Sequence, residues 1–305
     1  MTDYEVLVLG GGPAGITIAK TLDGAKDLAV MRPEDHSMVY CAMPYVIEDL
    51  LPREKTLKED SLVTDTGADL IRDYAVDVDF DQQVVTTGSG EKYGYEELII
   101  ATGASPVLPP IPGTDLEGVT TFKHEEDLNR ILNQVDSDVE EAVVVGAGAI
   151  GIELAQALNE AELETHLVDL EDSILPNLLD AEMVAEGEEQ LEELGINLHL
   201  GARIDSLAGA KKVEQVKLAD GETINFGPQG GLVVFAIGME PNVEFVEDSN
   251  LEIGPQGIKV NSQMETNREN VYAVGDCVQY QSAITGEVTG GNLATNAVPM
   301  GRLLA

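Results

Sequence analysis

Cysteine is scarce in this sequence. The 305-residue chain has two, Cys41 and Cys277, too few for a disulfide framework. No second cysteine stands at a C-x-x-C or C-x4-C spacing from Cys41, which excludes an intrachain redox pair there. Basic residues are scarce as well. Lys and Arg number 17 against 56 Asp and Glu, for a formal net charge of −39. Such a field repels phosphates and argues against nucleic-acid binding. No apolar run approaches the roughly 18 residues of a membrane span. The N-terminus, MTDYEVLVLGGG, lacks the basic segment and apolar stretch of a secretory signal. The expected compartment is the cytoplasm, with no membrane partner and no metal among the expected cofactors.

Acids are abundant and spread along the chain, densest at Glu186, Glu188, Glu189, Glu192 and Glu193. A solvated helix face is the simple reading of that patch. Like charges at such spacing destabilise a helix in dilute buffer, and salt screens them. The load suggests a chain adapted to high salt.

Apolar residues make up 43% of the chain, enough for a sizeable core, and the length suits two domains. Residues 4–9 read as a short strand, a glycine cluster follows, then a helix over 14–22 and a strand over 28–31. The pattern recurs: strand 141–145, glycine turn 146–151, helix 152–159, strand 165–169. Two βαβ units predict two nucleotide-binding domains with parallel sheets and helices on their faces. Between them, Pro106, Pro109, Pro110 and Pro112 bar helix and interior strand, which marks a crossing between domains. A return crossing is expected near Pro241-Asn242. The expected class is α/β, with two Rossmann-like domains. The second, residues 114–243, is inserted in a discontinuous first one made of residues 1–113 and 244–305.

The first glycine motif is Gly10-Gly11-Gly12-Pro13-Ala14-Gly15. In a G-x-G-x-x-G between strand and helix, the first glycine permits the turn and the second lets backbone approach a pyrophosphate. The third lets helix and strand pack closely. The helix N-terminus then faces the anion. The second motif is Gly146-Ala147-Gly148-Ala149-Ile150-Gly151, followed by Ile152 and Glu153. Asp169 lies 18 residues beyond Gly151, where an acid bonds a ribose 2′-hydroxyl and disfavours a 2′-phosphate. NAD is the expected ligand there, with NADPH as the alternative donor; a plain loop acid is the competing reading of Asp169. Two dinucleotide sites suggest a tightly held flavin and an exchanging nicotinamide.

Cys41, in Ser37-Met38-Val39-Tyr40-Cys41-Ala42-Met43-Pro44-Tyr45, opens an apolar helical stretch. A thiol at a helix N-terminus is favoured as thiolate. Periodicity alone allows a buried, inert Cys equally well. Cys277 reads as a packed residue.

The chain resembles the pyridine nucleotide–disulfide oxidoreductases, and within them the single-cysteine branch of coenzyme A-disulfide reductases, persulfide reductases, and NADH oxidases and peroxidases. The resemblance rests on the two glycine motifs, the Cys41 stretch, Ala101-Thr102-Gly103-Ala104-Ser105-Pro106, Gly238-Met239-Glu240-Pro241-Asn242, the stretch from Thr266 to Gly275-Asp276, and Asn292-Leu293-Ala294. These follow the family's order across nearly the whole chain. The resemblance implies FAD held by Gly10, Gly12, Pro13, Ala14, Gly15, Arg32, Glu34, Val76, Ala101, Thr102, Gly103, Asp276, Leu293 and Ala294. It implies NAD held by Gly146, Gly148, Ile150, Gly151, Glu153, Asp169 and Gly238. It also implies electron flow from NADH through FAD to a mixed disulfide on Cys41, the catalytic thiol, with a small thiol or disulfide as substrate.

Three departures stand out. Where the family's first unit ends its second strand with an acid, this chain reads Met31-Arg32-Pro33-Glu34, so either Glu34 or Arg32 meets the adenosine end. Pro13 replaces the histidine that oxidase and peroxidase members carry in the first turn; His36, the histidine nearest Cys41 in sequence, reads as a loop residue. That favours disulfide or persulfide reduction over oxygen chemistry. The family usually continues into a dimerisation domain, whereas this sequence stops at Ala305; a homodimer and a partner-supplied acid are expected if such a domain exists. Two rival readings remain. One is an NADH oxidase or NADH:acceptor reductase in which Cys41 is a spectator. The other is a non-catalytic flavin-binding redox sensor.

Overall fold

A computed structural model describes residues 1–176, 178–290 and 293–305. The chain divides into two compact units, one made of Met1–Met38, Leu57–Ser105 and Met239–Ala305, the other of Val39–Thr56 and Pro106–Gly238.

In the first unit the strand Thr2–Leu9 lies between Leu28–Met31 and Lys92–Ile100, parallel to both. Asp69–Ile71 and Val271–Ala273 extend the parallel sheet on either side. Leu28–Met31 and the C-terminal halves of Thr2–Leu9 and Lys92–Ile100 are apolar runs because both faces of the sheet are covered there; Leu7, Val8, Leu98 and Ile100 are fully buried. Each such side chain contributes about 1.5–3 kcal/mol by leaving water. An antiparallel pair, Ala75–Asp79 with Val84–Thr87, joins the front half of Lys92–Ile100. The helix Pro13–Leu22 begins with proline at its first position, where no N–H is needed. It buries Ala14, Gly15, Ile18 and Ala19. The helix Ala294–Leu304 packs against it, and Gly301 permits the approach, since a Cβ there would lie 2.8 Å from the Ala14 carbonyl oxygen.

The second unit repeats the plan. Glu141–Val145 lies between Leu232–Phe235 and Glu164–Val168, with Val119–Thr121 and Asn197–His199 outermost, all parallel. The helix Ala149–Glu160 buries Gly151, Leu154, Ala155, Ala157 and Leu158, the spacing of one helical face. A three-stranded antiparallel meander, Ile204–Ala208, Gln215–Leu218 and Thr223–Asn225, follows.

The crossings fall at residues 105/106 and 238/239, near the proline run and a little before Pro241. Three segments depart from the sequence-based boundaries: residues 106–113 fall in the second unit, residues 239–243 fall in the first, and the third lies inside the first expected domain. Residues 39–56 belong by their contacts to the second unit. The reason is packing: the short helix Met43–Ile47 buries Met43, Pro44, Val46 and Ile47 and lies against the helices Glu125–Val135 and Ala149–Glu160.

The acid-rich helix Ala181–Glu193 exposes Glu186, Glu189, Glu192 and Glu193 to solvent, while Glu188 accepts the Ile174 N–H at 3.1 Å. With that charge on the surface, the thermal midpoint should rise from dilute buffer to molar salt; a midpoint indifferent to salt removes the halophilic reading.

At one edge of the second sheet His166 Nδ1 and His199 Nε2 are 3.0 Å apart. Burial, and for His166 also the charge of His199, holds both imidazoles below their ordinary range, against the opposing fields of Glu164 on His166 and of Glu222 and Asp220 on His199. The unfolded chain therefore takes up protons first as pH falls below the ordinary histidine value of about 6.5. Stability from the pair is complete above that value and drains away as pH drops through the folded values. Melting curves from pH 8 to pH 5 should fall more for the native protein than for a His166→Gln/His199→Gln double variant.

Candidate active site

In the first unit the strand Thr2–Leu9 hands over to Gly10 at φ +118°, a conformation open to glycine. A Cβ there would lie 2.0 Å from the Ala101 carbonyl oxygen, and one at Gly15 would lie 2.1 Å from the Gly10 carbonyl oxygen. Gly12 differs: nothing lies within 4 Å of its Cβ position. It is the N-cap of Pro13–Leu22, in extended conformation with no side-chain cap. The first-turn N–H groups of a helix have no partner within it. The turn therefore offers an open face of backbone donors at the positive end of a helix.

The second unit builds the same object. Gly146 sits at φ +108°, with its would-be Cβ 2.5 Å from the Ala236 carbonyl oxygen, and Gly151 would collide with the Gly146 carbonyl oxygen at 1.7 Å. Gly148 again has open space and caps Ala149–Glu160. Both turns have the shape and donors that a dinucleotide's pyrophosphate requires.

Other expected residues gather round the first turn. The Ala101 N–H donates to the Leu9 carbonyl at 2.7 Å. Gly103 has φ +72° and open space around its Cβ position. Gly275 comes within 3.8 Å of the Ala14 and Ala297 side chains, measured from its Cβ position, and carries Asp276 in the turn Gly275–Cys277. Arg32 is buried, 2% exposed, and pairs with Asp60. Glu34 is exposed, and its carbonyl accepts Arg72 Nη1 at 2.5 Å. Val76 stands exposed where the register between Ala75–Asp79 and Val84–Thr87 shifts. Leu293 caps the last helix and is exposed, as is Ala294; Asn292 lies outside the described residues.

Around the second turn, Asp169 directly follows its strand and turns back on the glycines. Its Oδ2 accepts the Ala147 N–H, and its Oδ1 accepts the Glu171 N–H at 2.9 Å. Ile150 and Glu153 are exposed on the helix. Gly238 has φ +120° and open space, and its carbonyl accepts the Val107 N–H at 3.0 Å.

Sequence reasoning missed the work of Asn242. Its Nδ2 donates to the Thr102 carbonyl at 3.0 Å, its Oδ1 accepts the Ser105 hydroxyl at 2.7 Å, and its own carbonyl accepts the Thr102 hydroxyl at 2.7 Å. One side chain thus fixes the 102–105 segment. The P-N dipeptide was the signal, legible only with both segments in view.

Cys41 is exposed on the single turn Tyr40–Ala42, just ahead of the helix Met43–Ile47. The Lys123 ammonium lies 5.7 Å from the centre of the Tyr40 ring, and Arg53 pairs with Glu125. Cys277 is buried, with Sγ 3.3 Å from the Val274 carbonyl oxygen, and burial pushes its thiol up. Of the two thiols, Cys41 is the one open to a substrate.

The model of the pyridine nucleotide-disulphide oxidoreductase family matches residues 4–301. An NADH oxidase of Methanocaldococcus jannaschii is 33% identical over 98% of this chain and 68% of its own length. A CoA-dependent NAD(P)H sulfur oxidoreductase of Pyrococcus furiosus is 32% identical over 94% of this chain and 66% of its own. The solved NAD-dependent persulfide reductase of A. fulgidus superposes with a TM-score of 0.92 at 29% identity, over 99% of this chain and 58% of that one. The chain thus spans about three-fifths to two-thirds of the length of these relatives. No helix among the described residues is long and apolar enough to cross a membrane. With two glycine turns of one geometry, each at the end of a parallel strand, and a family match over nearly every residue, the chain belongs to the pyridine nucleotide-disulphide oxidoreductases.

Proposed function

We propose that this chain is an FAD-dependent NAD(P)H oxidoreductase that reduces a disulfide or persulfide of the coenzyme A type through Cys41. The observation that carries the reading is the duplicated glycine turn in a chain whose one solvent-open thiol is Cys41. The first turn, with Ala101, Thr102, Gly103 and Asp276, would hold FAD, and the second, with Asp169 and Gly238, the nicotinamide nucleotide. FAD, when bound, takes a hydride from NADH and passes on two electrons.

The protein's own part is thiol chemistry. The Cys41 thiolate attacks one sulfur of the substrate; that S–S bond breaks, a mixed disulfide forms on Cys41, and the first thiolate leaves. Two electrons then cleave the mixed disulfide, restoring the Cys41 thiolate and releasing the second sulfur as thiolate. Two protons from solvent or a neighbouring acid complete two thiols. The relatives named for CoA-dependent sulfur reduction and for persulfide reduction support this acceptor class. The relative named NADH oxidase supports a second reading, direct transfer to an external acceptor, although Pro13 stands where that chemistry would want a histidine.

Anaerobic NADH titration of the flavin-loaded protein separates the two. A long-wavelength thiolate–flavin band present in the native protein and absent in Cys41→Ser supports the thiol route. Equal disulfide-reducing rates in both proteins rule it out.

Asp169 supports NADH as donor. A carboxylate at that position repels a 2′-phosphate and bonds the free hydroxyl. Asp169→Ala should raise the KM for NADH about tenfold and bring the NADPH-to-NADH preference towards parity, read by steady-state kinetics with each donor.

A further inference from the structure

The short strand Asn197–His199 ends beside Asp169. It is outermost in its sheet and runs parallel to Glu164–Val168, with His199 opposite Val168. The Asp169 N–H donates to the His199 carbonyl at 3.1 Å. The chain then turns back. The Ala202 N–H donates to the Asp169 carbonyl at 2.8 Å, and the Gly201 N–H donates to the Glu171 carbonyl at 2.8 Å. Residues 199–202 thus grip the backbone of 169–171. That grip aims the Asp169 carboxylate, whose oxygens accept the N–H groups of Ala147 in the glycine turn and of Glu171.

A three-residue strand at a sheet edge opens easily unless something ties it down. The tie is the imidazole pair. His166 lies three residues before Asp169 on the inner strand, and His199 ends the outer one. With Nδ1 of His166 and Nε2 of His199 3.0 Å apart, one ring donates its N–H to the bare nitrogen of the other. Both rings are half-buried and line a cavity of about 360 Å³ whose wall includes Glu192.

We infer that the His166–His199 pair positions Asp169 for the nicotinamide nucleotide and makes donor affinity depend on pH. This rests on the reading of the second glycine turn as the donor site. A neutral pair, or one with a single added proton, sets one donor against one acceptor. A second added proton puts an N–H on both facing nitrogens, and attraction becomes repulsion. The charged groups that face the pair are acids: Glu164, 3.9 Å from His166 Nε2, Asp220 and Glu222 towards His199, and Glu192 at the cavity. Their fields favour protonation. Burial of both rings, with the charge of His199 on His166, opposes it and prevails, holding both imidazoles below their ordinary range. The tie is therefore intact above about 6.5, the ordinary histidine value, and fails as pH drops through the folded values.

The test is the KM for NADH of the flavin-loaded protein from pH 8 to pH 5.5, with a dye as acceptor. The native KM should rise at least about threefold towards acid. His166→Gln/His199→Gln keeps a side-chain hydrogen bond with no ring to titrate, so its KM should stay near native at pH 8 and remain flat. His199→Ala cuts the tie at every pH and should raise KM about three- to tenfold at pH 8, with kcat within about twofold. Should His199→Ala not fold, the native and double-Gln profiles decide alone. Identical pH profiles for those two proteins, or a native KM in a folded His199→Ala, overturns this inference and leaves the proposed function standing. A native, flavin-loaded protein that oxidises no NADH overturns the proposed function itself.

Discussion

Gly10→Ala should give a chain that is severely destabilised and carries no flavin, while Gly12→Ala, two residues on, should fold normally and still lose flavin. The contrast follows from what each new Cβ meets. At Gly10 the backbone holds φ +118°, a region that costs an L-residue about 1–3 kcal/mol. The added carbon would also sit 2.0 Å from the Ala101 carbonyl oxygen and 2.5 Å from its carbon. Neither side can yield, because Leu9 and Ile100 are paired strand residues on either side of that contact. The combined cost should exceed about 3 kcal/mol, beyond the usual range of single substitutions. At Gly12 nothing lies within 4 Å, so the fold has no reason to object and the melting midpoint should stay close to native. The methyl group would instead occupy the open face before the helix, where a pyrophosphate must approach. Melting curves and flavin absorbance on the two variants check both halves. In the second unit Gly146→Ala and Gly148→Ala should divide the same way, with NADH binding as the readout.

This division explains how much could be read before the structure. The glycine turns were legible because their demands are local: a positive φ, a close backbone crossing and an open cap fall within six residues. The strands Leu28–Met31 and Glu141–Val145 were legible because a parallel strand buried on both faces is an unbroken apolar run between turn signals. Asp169 was found by spacing alone, since a βαβ unit has a fixed length.

What stayed hidden depends on distant partners. Arg32 in place of an acid left two readings open, and its packing beneath Gly11 and its pairing with Asp60, which also binds Arg72, are assembled only by the fold. The staple from Asn242 to Thr102 joins residues 140 apart. The allegiance of residues 39–56 to the second unit follows from the buried faces of Met43, Val46 and Ile47, which a sequence reading could assign to either neighbour. The histidine pair requires the parallel register that sets His166 opposite Asn197 and so next to His199.

Cys41→Ser should lower disulfide-reducing turnover at least about a thousandfold, the scale on which a nucleophile's removal is felt. NADH oxidation with a one-electron dye as acceptor should change by less than about twofold, because the residues expected to bind NADH and flavin lie outside the Tyr40–Ala42 turn. A serine hydroxyl there fits the same space but neither ionises at neutral pH nor exchanges with a disulfide. Structural damage should be small: the residue is exposed, and the anchoring of its segment comes from Met43, Pro44, Val46 and Ile47. Cys277→Ser is the matched control. That thiol is fully buried, so the variant should cost stability through a poorly solvated hydroxyl yet retain turnover. Steady-state assays with a disulfide and with a dye, run beside melting curves, distinguish the outcomes. If disulfide turnover survives in Cys41→Ser, the electrons bypass the thiol and the chain is an NADH:acceptor reductase. If both assays fail together in a well-folded variant, Cys41 acts on the nicotinamide or flavin step rather than on the substrate sulfur.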